Sequence, residues 1–312
     1  MKHFYSADDV DDLNALLELC QLVKTNPQRF SDAGNHKLIV LLFFNPSLRT
    51  RISTQKAAYN LGMDVISMNM SEGWKWEMED QAVMKFDTAE HIKEAARVIS
   101  NYADVIGIRT FPDLKSKEED YKDRVIKTLM KYSTVPVVNM ESAILHPLQS
   151  LTDLFTIREK KKRSDLKIVL TWAPHPKALP QAVSNSFLQW MTKAREDVTI
   201  CHPKGYELDP QFSNAHTTSH NQEEAFQSAD VIYVKNWSSV EKYGQILETD
   251  EKWMITKEKL DLTNNGILMH CLPVRRNVVI SDDALDSEYS VVIDQAINRT
   301  VAAQAVLHSL TV

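Results

Sequence analysis

Short apolar runs alternate along this chain with longer segments whose apolar residues recur every three to four positions. The strands predicted in the first half lie at 38–44, 63–68, 104–109 and 135–140, and the helices at 6–24, 52–61, 90–102 and 120–132. The second half predicts strands at 166–172, 198–201, 231–234, 266–271 and 290–293, and helices at 149–161, 182–194, 222–228 and 296–310. This alternation predicts an α/β fold of two domains, with parallel sheets flanked by helices.

The residues that follow the predicted strands are rich in polar chemistry. Ligands of parallel sheets bind at the carboxyl ends of the strands, so these residues are the candidate site. A single histidine or cysteine after a strand is more often part of the core than a catalyst. Here, however, polar residues follow several strands of each predicted sheet. They are Ser47, Arg49, Arg109, Glu141 and His146 in the first half and His175, Lys235, His270 and Cys271 in the second.

The first of these strand ends predicts an anion site. Pro46 ends the run, and Ser47 stands at the N-cap position of the next helix. The start of a helix presents unpaired N–H groups and the positive end of a dipole. Arg49 and Arg51 add donors that suit a phosphate group. A basic, solvated helix start is the less favoured interpretation.

Composition narrows the classes of function. The net charge is −6 without a long basic tract, which disfavours nucleic acid as a partner. No leader or membrane-spanning run is apparent, and Cys20, Cys201 and Cys271 lie far apart, so a cytoplasmic protein is expected. The seven glycines form no dinucleotide or Walker loop, and no cluster of ligands requires a metal. We therefore expect neither a cofactor nor a metal.

Segment 69–89 is less regular and carries Trp74 and Trp76 among acidic residues. Local packing is one interpretation. The other is a loop that covers a ligand or reaches a neighbouring subunit.

Three short motifs, taken together and in order, resemble the carbamoyltransferases. They are Ser-x-Arg-Thr-Arg at 47–51, His-Pro-x-Gln at 146–149 and His-Cys-Leu-Pro at 270–273. The resemblance, which covers almost the whole chain, implies a carbamoyl phosphate domain at 1–148 and an amino-substrate domain at 149–294. It also implies a C-terminal helix, 295–312, that returns to the first domain, a substrate cleft between the domains, and a homotrimer with shared active sites.

The same resemblance assigns roles residue by residue. Ser47, Leu48, Arg49 and Thr50 would hold the phosphate, with Trp74 contributed by an adjacent subunit. Arg109, His146 and Gln149 surround the carbamoyl group, and Cys271 with the Leu272 carbonyl would orient the attacking amine. Donors aimed at the oxyanion of the tetrahedral species lower the barrier, which is the part assigned to Arg109, His146 and Thr50. Covalent catalysis by Cys271 is not favoured.

One departure from ordinary ornithine enzymes concerns the acceptor. Those enzymes carry an Asp after the strand at 231–234 and a Ser-Met-Gly loop, which grip the free α-amine and carboxylate of ornithine. Here Lys235-Asn236-Trp237 stands instead, and lysine pairs with a carboxylate but not with an ammonium. This favours an N-acylated ornithine and resembles the N-acetyl- and N-succinylornithine carbamoyltransferases. In them Glu141, His175, Lys235, Leu272 and Arg275 match substrate positions, and 174–180 matches a loop of a knotted backbone.

The acyl group is predicted from Ala89. Acetyl-type relatives carry Glu at this position and succinyl-type relatives carry Pro. A glutamate would repel a second carboxylate, which Ala89 does not. Arg275 could pair with that carboxylate, but it has a match in both kinds of relative and so discriminates poorly between them. Acetyl-type relatives also carry a modified lysine where this chain has Val279. We therefore expect N-succinylornithine.

The sequence alone leaves four other functions open. They are an N-acetylornithine enzyme, an ordinary ornithine carbamoyltransferase, a non-catalytic protein that binds carbamoyl phosphate, and a dinucleotide-dependent oxidoreductase.

Overall fold

The structure is a computed structural model that describes residues 1–163 and 165–312. Its α-helices are α1 (Leu13–Thr25), α2 (Leu48–Asn60), α3 (Ile92–Tyr102), α4 (Lys117–Tyr121), α5 (Arg124–Tyr132), α6 (Pro147–Lys160), α7 (Ala182–Ala194), α8 (Pro210–Ser213), α9 (Gln222–Phe226), α10 (Lys257–Leu260), α11 (Asp282–Leu285) and α12 (Val292–Thr311). Its strands are β1 (Leu38–Phe43), β2 (Asp64–Asn69), β3 (Lys75–Glu77), β4 (Thr88–His91), β5 (Val105–Arg109), β6 (Val137–Glu141), β7 (Ile168–Trp172), β8 (Val198–Cys201), β9 (Thr217–Ser219), β10 (Val231–Lys235) and β11 (Ile267–Met269).

These elements form two compact units. The first comprises Met1–Asp113, Glu118–Leu148 and Arg299–Val312, and the second comprises Leu114–Lys117 and Gln149–Asn298. Helix α12 is therefore shared, and its last turns belong to the first unit. There the Asn60 carboxamide donates to Gln304 Oε1 at 2.9 Å, and the Gln304 carboxamide donates to the Pro27 carbonyl at 2.8 Å.

The first unit is built on a parallel sheet with the strand order β2-β1-β5-β6. Strand β1 lies inside the sheet and is buried from Ile39 to Phe43, as expected of a continuous apolar run. Helix α2 ends where the backbone turns at Gly62, whose φ of +78° favours glycine, and a Cβ there would meet the Ser31 carbonyl oxygen at 2.3 Å. The sheet therefore brings the ends of β1, β5 and β6 to one edge.

The second unit has a parallel sheet with the order β11-β10-β7-β8-β9. Strand β7 is buried throughout, and β10 is buried up to Val234. Lys235, the last residue of β10, is half-buried and lies beside Trp172, the last residue of β7. The carboxyl ends of β7, β10 and β11 thus share one edge.

The predicted α/β class with two parallel-sheet units is confirmed. Helix 182–194 and strand 198–201 have the predicted bounds, and most other elements differ by a few residues at their ends. The short strand predicted at 290–293 is wrong: Ser290 makes an isolated bridge to Leu268, and α12 begins at Val292. The β-branched run Val291-Val292-Ile293 resembles a strand, but its first two side chains are buried at the start of this helix.

The helix predicted at 120–132 is also wrong, because it is broken at Asp123. Helix α4 ends at Tyr121, α5 begins at Arg124, and Asp123 adopts a φ of +50°. The buried Asp123 carboxylate accepts hydrogen bonds from Tyr5 Oη at 2.8 Å and from Ser142 Oγ at 2.5 Å. These long-range contacts hold the residue outside helical geometry.

Candidate active site

The start of helix α2 has the geometry of an anion site. Ser47 is the N-cap residue with extended backbone (φ −153°, ψ 123°), and its side chain makes no capping hydrogen bond. The N–H groups of the first turn have no intrahelical acceptor, as at any helix start. A cavity of about 530 Å³ opens beside this turn, and its walls include Phe44, Pro46, Ser47, Leu48, Arg51 and Asn69.

The two arginines of this turn have different surroundings. Arg51 donates to the Asn69 side chain, and its guanidinium carbon lies 4.3 Å from the centre of the Phe43 ring. The Nε of Arg49 is buried and has no hydrogen-bond partner in the part of the chain that the structure describes. A buried guanidinium nitrogen without a partner is costly, so Arg49 is the better candidate to meet an anion.

Arg109 links the ends of β5 and β6 to the turn before α2. Its Nε and Nη2 donate to Glu141 Oε2 at 3.1 and 2.9 Å, and its Nη1 donates to the carbonyls of Asn45 and Pro46 at 3.2 and 3.0 Å. These bonds account for four of the five guanidinium N–H groups, so within the described residues one remains for a ligand. His146 Nε2 lies 3.7 Å from the same Glu141 oxygen, and all three residues are buried.

Sequence reasoning missed Arg299. This arginine of α12 is buried, and its Nη2 donates to Thr50 Oγ1 at 2.8 Å. Because the Thr50 oxygen accepts this bond, its own O–H remains available as a donor. The available signal was the polar series Gln295, Asn298 and Arg299 within an otherwise apolar helix.

Trp74 and Ala89 are neighbours in the first unit. The parallel pair β3 and β4 brings Lys75 beside Thr88, and the Trp74 indole donates to Glu90 Oε2 at 2.8 Å. Trp74 is 63% exposed, which contradicts burial by local packing within one chain. Ala89 is also exposed, and strand geometry directs it to the opposite face from Glu90.

In the second unit, the cations Lys235 and Arg275 lie near the His175 imidazole. Arg275 Nε donates to His175 Nε2 at 3.2 Å, and His175 Nδ1 lies 2.9 Å from the Lys177 carbonyl oxygen and 3.0 Å from the Lys177 backbone nitrogen. Burial lowers the pKa of His175, and the nearby charges of Arg275, Lys235 and Lys177 lower it further. The two cations of this group, Lys235 and Arg275, are suited to carboxylates.

The segment after β11 holds Cys271 in a fixed backbone. The His270 N–H donates to Gln295 Oε1 at 2.9 Å, and the Leu272 N–H donates to His270 Nδ1 at 2.9 Å. Leu272 has a φ of +54° and precedes a cis proline. Cys271 is half-exposed, whereas Cys20 and Cys201 are buried and burial raises the pKa of each to about 12. Cys271 is therefore the one cysteine placed to meet a substrate.

Gln149 lies in the first turns of α6 and is buried. Its carboxamide donates to Asp153 Oδ1 at 2.7 Å.

Among the described residues, no group of three or more His, Cys, Asp or Glu side chains could hold a metal ion. No helix in this part of the chain is both long and apolar enough to cross a membrane.

The chain is similar to known carbamoyltransferases over almost its full length. Residues 2–159 match the carbamoyl-P binding domain of aspartate/ornithine carbamoyltransferase, and residues 179–310 match its Asp/Orn binding domain. The N-succinylornithine carbamoyltransferase of Bacteroides fragilis (strain 638R) is 45% identical, over 99% of this chain and 98% of that protein. The N-acetylornithine carbamoyltransferase of Xanthomonas axonopodis pv. citri (strain 306) is 37% identical, over 99% and 96%.

The fold of the chain also matches that of a solved structure. It is an N-acetyl-L-ornithine transcarbamylase in which one glutamate is replaced by serine, complexed with carbamyl phosphate and N-succinyl-L-norvaline. It matches with a TM-score of 0.94 and 36% identity, over 99% of this chain and 100% of that chain.

Proposed function

This chain belongs to the aspartate/ornithine carbamoyltransferase family, and we propose that it carbamoylates N-succinyl-L-ornithine. The reaction transfers the carbamoyl group of carbamoyl phosphate to the δ-amine, giving N-succinyl-L-citrulline and phosphate, as a step of arginine biosynthesis. The observation that carries the reaction class is the start of α2, where open N–H groups, the Ser47 hydroxyl and the buried Arg49 Nε suit a phosphate.

The chemistry follows from the donors of the first unit. The neutral δ-amine attacks the carbonyl carbon of carbamoyl phosphate, and negative charge develops on the carbonyl oxygen. The remaining N–H of Arg109, the O–H of Thr50 and His146 would stabilise that oxygen. The bond to the phosphate oxygen then breaks, and the departing phosphate accepts the proton that the amine releases. Leu48 completes the phosphate-binding turn, and Gln149 contacts the carbamoyl NH₂.

The second unit would bind the acceptor. A succinylated ornithine carries two carboxylates and no ammonium at the α-position, which suits the cluster of His175, Lys235 and Arg275. Cys271 and the Leu272 carbonyl would orient the δ-amine. Glu141, which the structure pairs with Arg109, is proposed as a further substrate contact.

Ala89 supports succinyl over acetyl. Its side chain is small and exposed, so position 89 carries no carboxylate that would repel the second carboxylate of a succinyl group. The nearest acid along the chain, Glu90, accepts a hydrogen bond from the Trp74 indole. In the related acetylornithine enzyme, a variant lacking one glutamate was crystallised with a succinyl ligand. Val279, where acetyl-type relatives carry a modified lysine, is 2% exposed and belongs to the core. The 45% identity to a succinylornithine enzyme, against 37% to an acetylornithine enzyme, also favours succinyl.

We further propose a homotrimer in the cytoplasm, with Trp74 reaching the phosphate site of a neighbouring subunit. The exposure of Trp74 supports this arrangement, as does an apolar face on α2 and β2. The knotted backbone around 174–180 stays a prediction.

Product analysis tests the proposed function. Purified protein supplied with carbamoyl phosphate and N-succinyl-L-ornithine should release one phosphate for each succinylcitrulline, detected by mass spectrometry. Phosphate release without a carbamoylated amine would contradict the proposal, and binding of carbamoyl phosphate without turnover of any amine would indicate a non-catalytic protein.

A further inference from the structure

Helices α6 and α12 enclose a buried chain of polar side chains in the second unit. Its centre is Asp153, which is fully buried. One carboxylate oxygen, Oδ1, accepts hydrogen bonds from Gln149 Nε2 and from Gln295 Nε2, each at 2.7 Å. The other end of Gln295, Oε1, accepts the backbone N–H of His270 at 2.9 Å. A single carboxylate therefore contacts Gln149 directly and the His270–Cys271 backbone through one side chain.

The chemistry of a carboxylate fixes the orientation of both glutamines. An ionised carboxylate oxygen only accepts hydrogen bonds, whereas a carboxamide has a donor end and an acceptor end. Each glutamine must therefore turn its NH₂ toward Asp153 and its oxygen away. The oxygen of Gln295 meets His270, which shows how this polarity is transmitted.

A buried tyrosine also lies next to the Asp153 carboxylate. Tyr233 of β10 is fully buried, and burial together with the adjacent Asp153 and Cys271 raises its pKa. The phenol therefore stays neutral beside both groups.

We propose that Asp153 is a positioning residue that holds the Gln149 carboxamide with its oxygen toward the NH₂ of carbamoyl phosphate. This inference rests on the proposed function, in which Gln149 contacts the carbamoyl group. An oxygen at this point accepts an N–H of the carbamoyl NH₂, whereas a flipped carboxamide would oppose two donors. Asp153 thereby selects carbamoyl phosphate over acyl phosphates that carry a methyl group in place of the NH₂. Through Gln295 the same carboxylate anchors the segment that orients the acceptor amine.

The test compares two ligands in the absence of acceptor. Carbamoyl phosphate and acetyl phosphate share the phosphate and the carbonyl but differ in the NH₂, so calorimetric titration with each isolates the contact to Gln149. In Asp153→Asn the carboxamide at 153 can donate as well as accept, and Gln149 loses its fixed polarity. We expect this variant to bind carbamoyl phosphate about tenfold more weakly, the effect of losing one hydrogen bond between neutral groups, with acetyl phosphate nearly unchanged.

The matched control lies one turn further along the same two helices. Asn298 Nδ2 donates to Thr156 Oγ1 at 2.9 Å, which is a buried contact between α6 and α12 that does not involve Gln149. Thr156→Val removes this contact and should leave the affinities for both ligands within about twofold, inside the scatter expected of an uninvolved site.

The outcomes separate the inference from the proposed function. If the wild-type protein binds neither ligand, or binds both equally, the proposed carbamoyl site is wrong. If wild type prefers carbamoyl phosphate and Asp153→Asn keeps that preference, or weakens both ligands equally, the role of Asp153 is wrong.

A reciprocal exchange covers the case in which Asp153→Asn does not fold. In Gln149→Glu with Asp153→Asn, the carboxamide at 153 donates to the carboxylate at 149, which presents an oxygen in either orientation. This double variant should again prefer carbamoyl phosphate over acetyl phosphate. Absence of that preference would overturn the proposal.

Discussion

Arg49 is the residue whose surroundings most directly indicate a ligand. Its Nε is buried without a partner in the described chain, whereas Arg51, two residues later, is committed to Asn69 and Phe43. A side chain that contributes little to the fold can be removed with little loss of stability.

Arg49→Ala should lower kcat/KM for carbamoyl phosphate by at least about 100-fold, the loss typical of removing one donor at a developing anion. Steady-state kinetics measure this effect, and thermal unfolding should show a midpoint close to wild type. Arg97→Ala, which removes an exposed arginine on α3, is the matched control and should be fully active. Normal affinity for carbamoyl phosphate in Arg49→Ala would show that the phosphate binds elsewhere.

Ala89 is the residue at which the choice of acyl group is predicted. A glutamate here would place a carboxylate beside the second carboxylate of the succinyl group, and the two charges would repel each other. Ala89→Glu should therefore lower the ratio of kcat/KM for succinylornithine to that for acetylornithine by about tenfold or more, equivalent to roughly 1.4 kcal/mol. Ala89→Gln, of similar size but neutral, separates charge from bulk and should shift the ratio less. An unchanged ratio in Ala89→Glu would refute the specificity argument.

Among the elements, helix α2 and strand β2 present an apolar face that one chain leaves uncovered. Leu48, Ile52 and Tyr59 are spaced by four and seven residues, which places them on one side of the helix, and they are 69%, 56% and 68% exposed. Ile66 and Met68 on the edge strand β2 are nearly half exposed. Such a patch beside the phosphate-binding turn is typical of a subunit interface.

A charge on this face should dissociate the proposed trimer. Ile52→Glu places a carboxylate in the centre of the patch, where burial against a second chain would cost several kcal/mol. Equilibrium sedimentation should then report monomers, and activity should fall because Trp74 no longer reaches a neighbour. Val98→Glu on α3, also at an exposed apolar position, is the control and should remain oligomeric. A trimeric and active Ile52→Glu protein would exclude this face as the interface.

The elements also show what the sequence could and could not predict. The apolar runs at 38–43 and 168–172 identified their strands because both are buried on two faces. Strands β3 and β4 were missed, since they are three and four residues long and lack apolar alternation. The break at Asp123 depends on Tyr5 and Ser142, which no local pattern relates to it.

The site was predictable to the extent that motifs lie at strand ends. Ser47, Arg109 and Cys271 were predicted as site residues for this reason. The bond from Arg299 to Thr50 and the bond from Gln295 to Asp153 join residues 249 and 142 positions apart, and only the fold brings them together.

For the whole molecule, buried and half-buried histidines predict a stability that depends on pH. Burial is the largest cause of a lowered pKa in five of them, namely His3, His175, His202, His216 and His308. In the unfolded chain each takes up a proton near pH 6.5, whereas in the fold each takes it up only at lower pH. Unfolding therefore binds protons in this window, and stability falls as the pH drops below about 6.5.

The unfolding midpoint should be about 5 °C lower at pH 5.5 than at pH 7.5, a shift of the size that a few partly buried groups produce. Burial raises the pKa of Asp123, so this carboxyl group gains stability on acidification. Its effect opposes that of the histidines, but it is a single group and they are five. In His202→Asn the difference should shrink, because His202 is the most deeply buried of the five. Calorimetry at the two pH values measures both effects. A midpoint that rises on acidification would show that other groups dominate.

The most direct test of the account compares three acceptors in parallel. Initial rates with saturating carbamoyl phosphate are measured for N-succinyl-L-ornithine, N-acetyl-L-ornithine and L-ornithine. We expect the highest kcat/KM for succinylornithine, lower values for acetylornithine, and negligible turnover of ornithine, whose ammonium would face Lys235. Faster turnover of acetylornithine or of free ornithine would contradict this expectation.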